Sequence, residues 1–186
     1  MSIAHHRKKQ PEAVRKQLLD VAVRLSVSAG PASVTLEAVS TAAGVSKGGL
    51  LHHFPSKLAL IDAMFDDLVG RLDDAIGDAM RRDPVAHGRY TRAYLDVVFS
   101  LEDSEEGPGW HVLTMALLAE PHLRRRWQQW VAERQDEFVG TDSSVDTQLV
   151  RFAADGLWFA DLVGSHAFDT AARTALLQRL KSLTFL

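Results

Sequence analysis

The residues Gly44-Val45-Ser46-Lys47-Gly48 spell G-x-S-x-G, the pattern that sets a nucleophilic serine on a sharp strand-to-helix turn. Beside them stand a second glycine, Gly49, a histidine pair, His52 and His53, and the lysines Lys47 and Lys57. Three chemistries fit such a set: acyl transfer by an activated serine, metal coordination by imidazoles, or the binding of a polyanion through amides, hydroxyls and ammonium groups. The flanking elements decide among them. An elbow serine needs a buried strand before it, and the preceding TLEAVSTAAG has helical spacing instead. A metal site needs converging ligands, and the eight histidines contain no H-x-x-x-H pair and no H-E-x-x-H. His5-His6 lies near the chain start, and His87, His111, His122 and His166 are scattered along it. No metal, no cofactor and no enzymatic activity are expected.

The elements around the motif read as helices throughout. Val14, Leu18, Val21, Ala22 and Leu25 recur at the spacing of one helical face, with Pro11 expected in the first turn and Gly30-Pro31 as the stop. Thr35 stands where an N-cap belongs, with Glu37 in the following turn and Gly44 at the end. Ser46 then caps a very short helix that reaches about Phe54, and Ser56 caps a long amphipathic one to about Met80. Further helices follow through HGRYTRAYLDVVFSLE, a loop DSEEGPG, WHVLTMALLAE, a helix opened by Pro121, one opened by Ser143 or Ser144, and a last one capped by Asp169. Trp127 and Trp130 in the Pro121 helix are expected to face largely different directions. The expectation is an all-α protein of about nine helices, with no strand, hairpin or internal repeat.

Charge divides this series. Residues 1–60 carry eight Lys/Arg against three acids, a balance of +5, while residues 61–186 carry a balance of −8. A basic N-terminal third on an acidic body suggests a polyanion-binding module on a different kind of domain, with the division at residues 1–60 and 61–186. The absence of cysteine excludes disulfides, zinc–thiolate sites and cysteine nucleophiles. No apolar run approaches the ~18 residues of a membrane span, and the start has no signal-peptide pattern. A cytoplasmic protein without a membrane partner is expected.

Helix, short helix, glycine turn and short helix form the layout of a helix-turn-helix DNA reader. Gly44 supplies the turn, and Val45, Leu36, Val39, Ala42 and Leu50 can fill the small core beneath it. Each helical glycine costs about 1 kcal/mol relative to alanine, so Gly48-Gly49 makes sense where the backbone must approach another surface closely. Ser46, the free amides at that helix start, Lys47 and Lys57 can all engage phosphate.

VTLEAVSTAAGVSKGGLLHHFPSKLALI resembles the DNA-binding domain of TetR-type (tetracycline-repressor-like) transcriptional regulators. The likeness covers roughly residues 12–65 and keeps several elements in order and spacing. It implies that Thr35 holds phosphate, that Ser46, Lys47, Gly48, Gly49 and His52 lie on the DNA-facing side of the recognition helix, and that Lys57 binds phosphate. His53 matches a position often occupied by His or Tyr. Leu51 departs from the pattern, standing where the family usually has a backbone-contacting tyrosine. Which of Leu51, His52 and His53 carries that contact stays open.

The resemblance also implies that the body binds a small molecule and forms the dimer. Phe99, Trp110, His111, Met115, Asp155, Trp158 and Phe159 are candidates for an effector pocket, since apolar walls with a few polar anchors suit one and an acid favours a cation. The same aromatics at helical spacing also fit plain core packing. Small residues Ala153, Ala154, Gly156, Ala160 and Gly164, and the stripe Leu176, Leu177, Leu180 and Leu183, suit an isologous homodimer through the last two helices. Two readers would then meet a near-palindromic operator in double-stranded DNA, in major grooves about 34–36 Å apart. The expected function is a ligand-responsive regulator, a repressor released by a small hydrophobic or cationic molecule. The rival is a dimeric DNA-binding protein with no effector.

Overall fold

The computed structural model describes residues 3–101, 104 and 107–185, with the backbone alone at 3–10, 31 and 108. Ten α-helices and one 3-10 turn make up these residues: α1 (Ile3–Ala29), the turn Pro31–Ser33, α2 (Leu36–Ala43), α3 (Lys47–His53), α4 (Lys57–Arg82), α5 (Arg89–Ser100), α6 (Gly107–Ala119), α7 (Pro121–Glu137), α8 (Val139–Asp142), α9 (Val145–Val163) and α10 (Thr170–Leu183). No strand occurs among them. Nine helices were expected; the added one is α8, a four-residue turn too short to show a periodicity.

Two boundaries differ from expectation. Pro11 lies inside α1, not in its first turn, because the helix already begins at Ile3; proline there removes one amide donor from the ladder. The expected loop 103–109 is shorter, since α6 starts at Gly107 with proline at its second residue, a position where the missing amide costs nothing. Residues 103, 105 and 106 of that loop lie outside the described residues.

The chain forms two compact units, residues 1–69 with 108–123, and residues 70–107 with 124–186. In the first, α1 packs on α2 and on the 3-10 turn, and α2 packs on α3. Leu18, Ala22, Val39, Leu50, Phe54 and Leu60 form its core, each fully or almost fully buried. Burial of such a side chain stabilises by roughly 1.5–3 kcal/mol, so these contacts, not the intrinsic helicity of a seven-residue α3, hold the short helices in place. Gly109 lets α6 lie close on α4: a Cβ there would meet Leu68 Cδ2 at 2.9 Å.

In the second unit α5 lies along α9, and α10 packs on both. A buried polar cluster fixes the start of α5. Gly88 at its N-cap has no side chain to cap with, and Asp142 does so from α8, accepting from the Thr91 amide at 2.8 Å. Arg151 donates to Thr91 Oγ1 (2.7 Å) and to the Asp142 carbonyl (3.0 Å), so α9 joins the same cluster. Gly88 has φ +68°, and a Cβ there would sit 2.5 Å from the Thr184 carbonyl, which seats the chain end over it.

Candidate nucleic-acid interface

Local capping chemistry sets out the glycine-turn motif. Thr35 caps α2 by accepting from the Ala38 amide at 3.0 Å, and Ser46 caps α3 by accepting from Gly49 at 3.1 Å. Gly44 ends α2 in the left-handed region at φ +66°, with its amide bonded to Thr41 and that of Val45 to Ser40, the pairing that closes a helix at a glycine. Ser56 opens α4 by accepting from Ala59 at 3.0 Å. Ser46 is therefore committed to a cap between two helices, and no strand precedes it. The elbow geometry for a nucleophile is absent.

The turn divides α3 into two faces. Leu50 and Phe54, four residues apart, point into the core, and Val45 packs against it. The Arg15 guanidinium lies 5.2 Å over the Phe54 ring and pins the end of α3 to α1. Lys47, Gly48, Leu51 and His52 form the opposite, exposed face at i, i+1, i+4 and i+5. Leu51 is 37% exposed, unusual for a leucine on a helix whose other leucine is fully buried. His53 is half-buried, its ring 5.5 Å from that of His52 and 6.4 Å from Phe54. His52 is thus the outward histidine of the pair.

The two glycines separate. A Cβ on Gly48 would meet nothing within 4 Å, so nothing inside the protein requires glycine there. A Cβ on Gly49 would sit 2.9 Å from Val45 Cγ1 and 3.3 Å from Ser46 Oγ, which gives Gly49 an internal reason: it makes room for the turn. Thr35, Lys47 and Lys57 are exposed around the same helix starts. Among the described residues no group of three or more His, Asp or Glu could hold a metal ion.

The candidate effector residues fall in both units. Trp110 (2% exposed) is core of the first unit; His111 and Met115 are exposed on the same α6. In the second unit Phe99 is buried under the Arg173 guanidinium, 5.3 Å from its ring, beside an open cleft between α5 and α10. Trp158 meets Trp127 edge-on at 5.9 Å, and Phe159 is exposed. Trp127 and Trp130 do not diverge as expected: their rings stack at 4.8 Å, because residues three apart share a helix face. Asp155 turns its carboxyl toward Tyr94, whose hydroxyl donates to it at 2.5 Å, in a small cavity of about 90 Å³ also lined by Tyr90 and Arg151. Asp155 is exposed as a residue, but the desolvation of its carboxyl against Tyr94 pushes it above the usual aspartate range, against the opposing Tyr94 hydrogen bond and Arg151 charge.

One feature of α9 emerges only in the fold. Val145, Leu149, Phe152, Phe159 and Val163 are all exposed and recur at i, i+4, i+7, i+14 and i+18, a single apolar stripe. The periodicity was visible in the sequence; which face would be left uncovered was not.

Family models match both parts of the chain: bacterial regulatory proteins of the tetR family over residues 18–64, and the tetracyclin repressor-like C-terminal domain over residues 88–185. The chain belongs to the TetR family. It is similar to the HTH-type transcriptional regulator BetI of Ectopseudomonas mendocina, 29% identical over 84% of this chain and 85% of that protein. It is also similar to the HTH-type transcriptional repressor KstR2 of Rhodococcus jostii, 38% identical over 45% of this chain but only 39% of KstR2. A crystal structure of a TetR-family transcriptional regulator from Streptomyces coelicolor shares the fold, with a TM-score of 0.73 over all of this chain and 95% of that one, at 20% identity. TetR-family members are DNA-binding transcriptional regulators, usually dimeric and often responsive to a small molecule. Membership implies a protein that is not an enzyme. No helix among the described residues is long and apolar enough to cross a membrane.

Proposed function

We propose that the chain is a homodimeric, ligand-responsive repressor that reads a near-palindromic operator through α3 and is released by a small hydrophobic or cationic molecule. The observation that carries the reading is the outward face of α3. Lys47, Gly48, Leu51 and His52 share it, and Gly48 has no reason inside the protein. Ser46, Thr35 and Lys57 supply hydroxyl and ammonium donors to phosphate at the flanking helix starts, and phosphate contacts of this kind fix register without reading sequence. His52 and Leu51 face the base edges and the sugar backbone, with Leu51 suited to a thymine methyl. Gly49 and His53 support this face from its edge.

The division of labour follows the charge: residues 1–60 act as the reader and residues 61–186 as the dimerisation and effector body, in the cytoplasm. The exposed stripe of α9, with Gly156 within it, supports a self-pairing surface reinforced by α10. Within the second unit Phe99, Asp155, Trp158 and Phe159 remain candidate effector contacts, with the Asp155 carboxyl and the Tyr90 and Tyr94 rings the groups a cation would meet, opposed there by the Arg151 guanidinium. A ligand that favours a dimer with altered reader spacing weakens operator binding by the same free energy that DNA costs the ligand.

Lys57→Ala is the direct check on the phosphate role. Affinity for all DNA sequences falls together, and the slope of log K against log salt drops by about 1. Fluorescence anisotropy across a salt series measures both. An unchanged slope sinks the role of Lys57.

A further inference from the structure

The first compact unit contains a cavity of about 230 Å³ that the reading above does not use. Its wall is α4 on one side, with Ile61, Met64, Phe65 and Leu68, and α6 on the other, with Val112, Leu113 and Ala116. The end of α1 and the turn after it close the third side through Ser26, Ala32 and Val34. Lys57 and Glu120 also line it, both of them partly or fully exposed. All of these residues belong to one compact unit.

Two properties argue for an occupant. The first is size: an apolar cavity of about 150 Å³ is enough to bind benzene, so this one has room for a substituted ring. The second is Ser26. It is 3% exposed, lines the cavity, and its hydroxyl has no hydrogen-bond partner among the described residues. A buried hydroxyl without a partner is costly, and such groups are rare in folded proteins. Ser26 is the one buried polar residue of a lining that is otherwise hydrocarbon apart from the more exposed Lys57 and Glu120, the composition of a ligand pocket with a single orienting group.

We infer that this cavity binds a compact, uncharged, largely apolar molecule bearing one hydroxyl or carbonyl group, oriented by Ser26. Lys57 and Glu120 at its rim offset one another and select against either sign of net charge. The site also has a route to DNA. Val34 directly precedes Thr35, and Lys57 lines the cavity itself, so an occupant presses on the two proposed phosphate anchors at once. The consequence at DNA rests on the ligand-responsive reading above; the binding itself does not.

The test uses the full chain with 13C-methyl methionine, titrated with p-cresol and, in parallel, with toluene, which lacks the hydroxyl. The expected result is a saturable shift of the Met64 methyl resonance with both probes and none at Met80. Ala116→Phe fills the cavity and abolishes the shift. Ser26→Ala leaves the unliganded protein at least as stable, weakens p-cresol binding roughly threefold to tenfold and leaves toluene unchanged. The Ser26→Ala comparison needs no bulky substitution and stands even if Ala116→Phe fails to fold. A Met64 methyl unmoved at millimolar probe, a shift that survives a folded Ala116→Phe, or equal p-cresol affinity in Ser26→Ala overturns the site. Operator affinity is read in the same samples. Binding at Met64 with unchanged operator affinity keeps the site and removes its link to DNA, while operator release by another ligand with Met64 unmoved keeps the ligand-responsive reading and removes this site.

Discussion

Arg92→Ala lowers the stability of the second unit by about 3–5 kcal/mol, the range for removing one member of a buried charge cluster. Arg92 is 4% exposed and ties three segments together. It donates to Asp83 Oδ2 (2.6 Å), to the carbonyls of Val85 (2.7 Å) and His87 (2.8 Å), and to Thr184 Oγ1 (3.0 Å), while its guanidinium lies 4.3 Å over Phe185. Alanine removes a donor from each of these acceptors, leaving the Val85 carbonyl only the long bond from Arg89 Nε (3.4 Å), and frees the chain end from the start of α5. Burial works to raise the Asp83 carboxyl, but the Arg92 hydrogen bond, the Val85 amide and the charges of Arg92 and Arg89 outweigh it and hold it below the usual aspartate range. A depressed carboxyl contributes stability that is fully present above its unfolded value of about 3.9 and is lost as pH falls through the lower folded value. Urea unfolding of wild type and variant checks both parts. The gap between them is largest near neutral pH and narrows below about pH 3.9. A gap under about 1 kcal/mol at neutral pH would mean that the cluster is ornamental to stability, as an exposed pair would be.

In the homodimer proposed above, Phe152→Glu separates the protomers and leaves their fold intact. Phe152 is 72% exposed in the protomer and stands in the α9 stripe between Leu149 and Phe159. In an isologous contact each substitution counts twice. Two phenyl groups returned to water cost about 3–6 kcal/mol together, and the new carboxylates oppose burial further. The dimer dissociation constant therefore rises by about 100-fold to 10,000-fold. Analytical ultracentrifugation reads the loss directly, and Phe159→Glu provides a second site on the same stripe. Operator binding falls with it, because two half-sites are then bound by separate readers. A variant that stays dimeric at micromolar concentration places the self-pairing surface elsewhere.

The parts of this protein that could be read from its sequence are those whose chemistry is local. Thr35, Ser46, Ser144 and Asp169 each accept from an amide three residues on, and Gly44 reverses the chain within its own turn. Cap and helix lie side by side in the sequence, so the helix-turn-helix outline and most helix starts followed. The start of α5 did not, since its cap is Asp142, 51 residues away, and no neighbour of Gly88 announces it. Gly49 shows the same limit at smaller scale. Its need for glycine comes from the rotamer that Val45 takes in the turn, so the sequence alone attributed to DNA what the fold explains internally. Among the effector candidates, residue type marked aromatic and polar groups, but tertiary packing decided that Trp110 is core and that Asp155 turns to Tyr94.

Gly48 is the one exposed glycine of α3 with open space where a side chain would go. If the outward face of α3 approaches DNA closely, that space is filled only in the complex. Footprinting supplies the operator, and wild type and Gly48→Leu are then compared in melting temperature and operator affinity. Gly48→Leu melts at the same temperature or higher, since a helical glycine replaced by a good helix former gains about 1 kcal/mol, and binds the operator at least about tenfold more weakly. A variant that folds as well as wild type and binds the operator with undiminished affinity would contradict the close approach of this face to DNA.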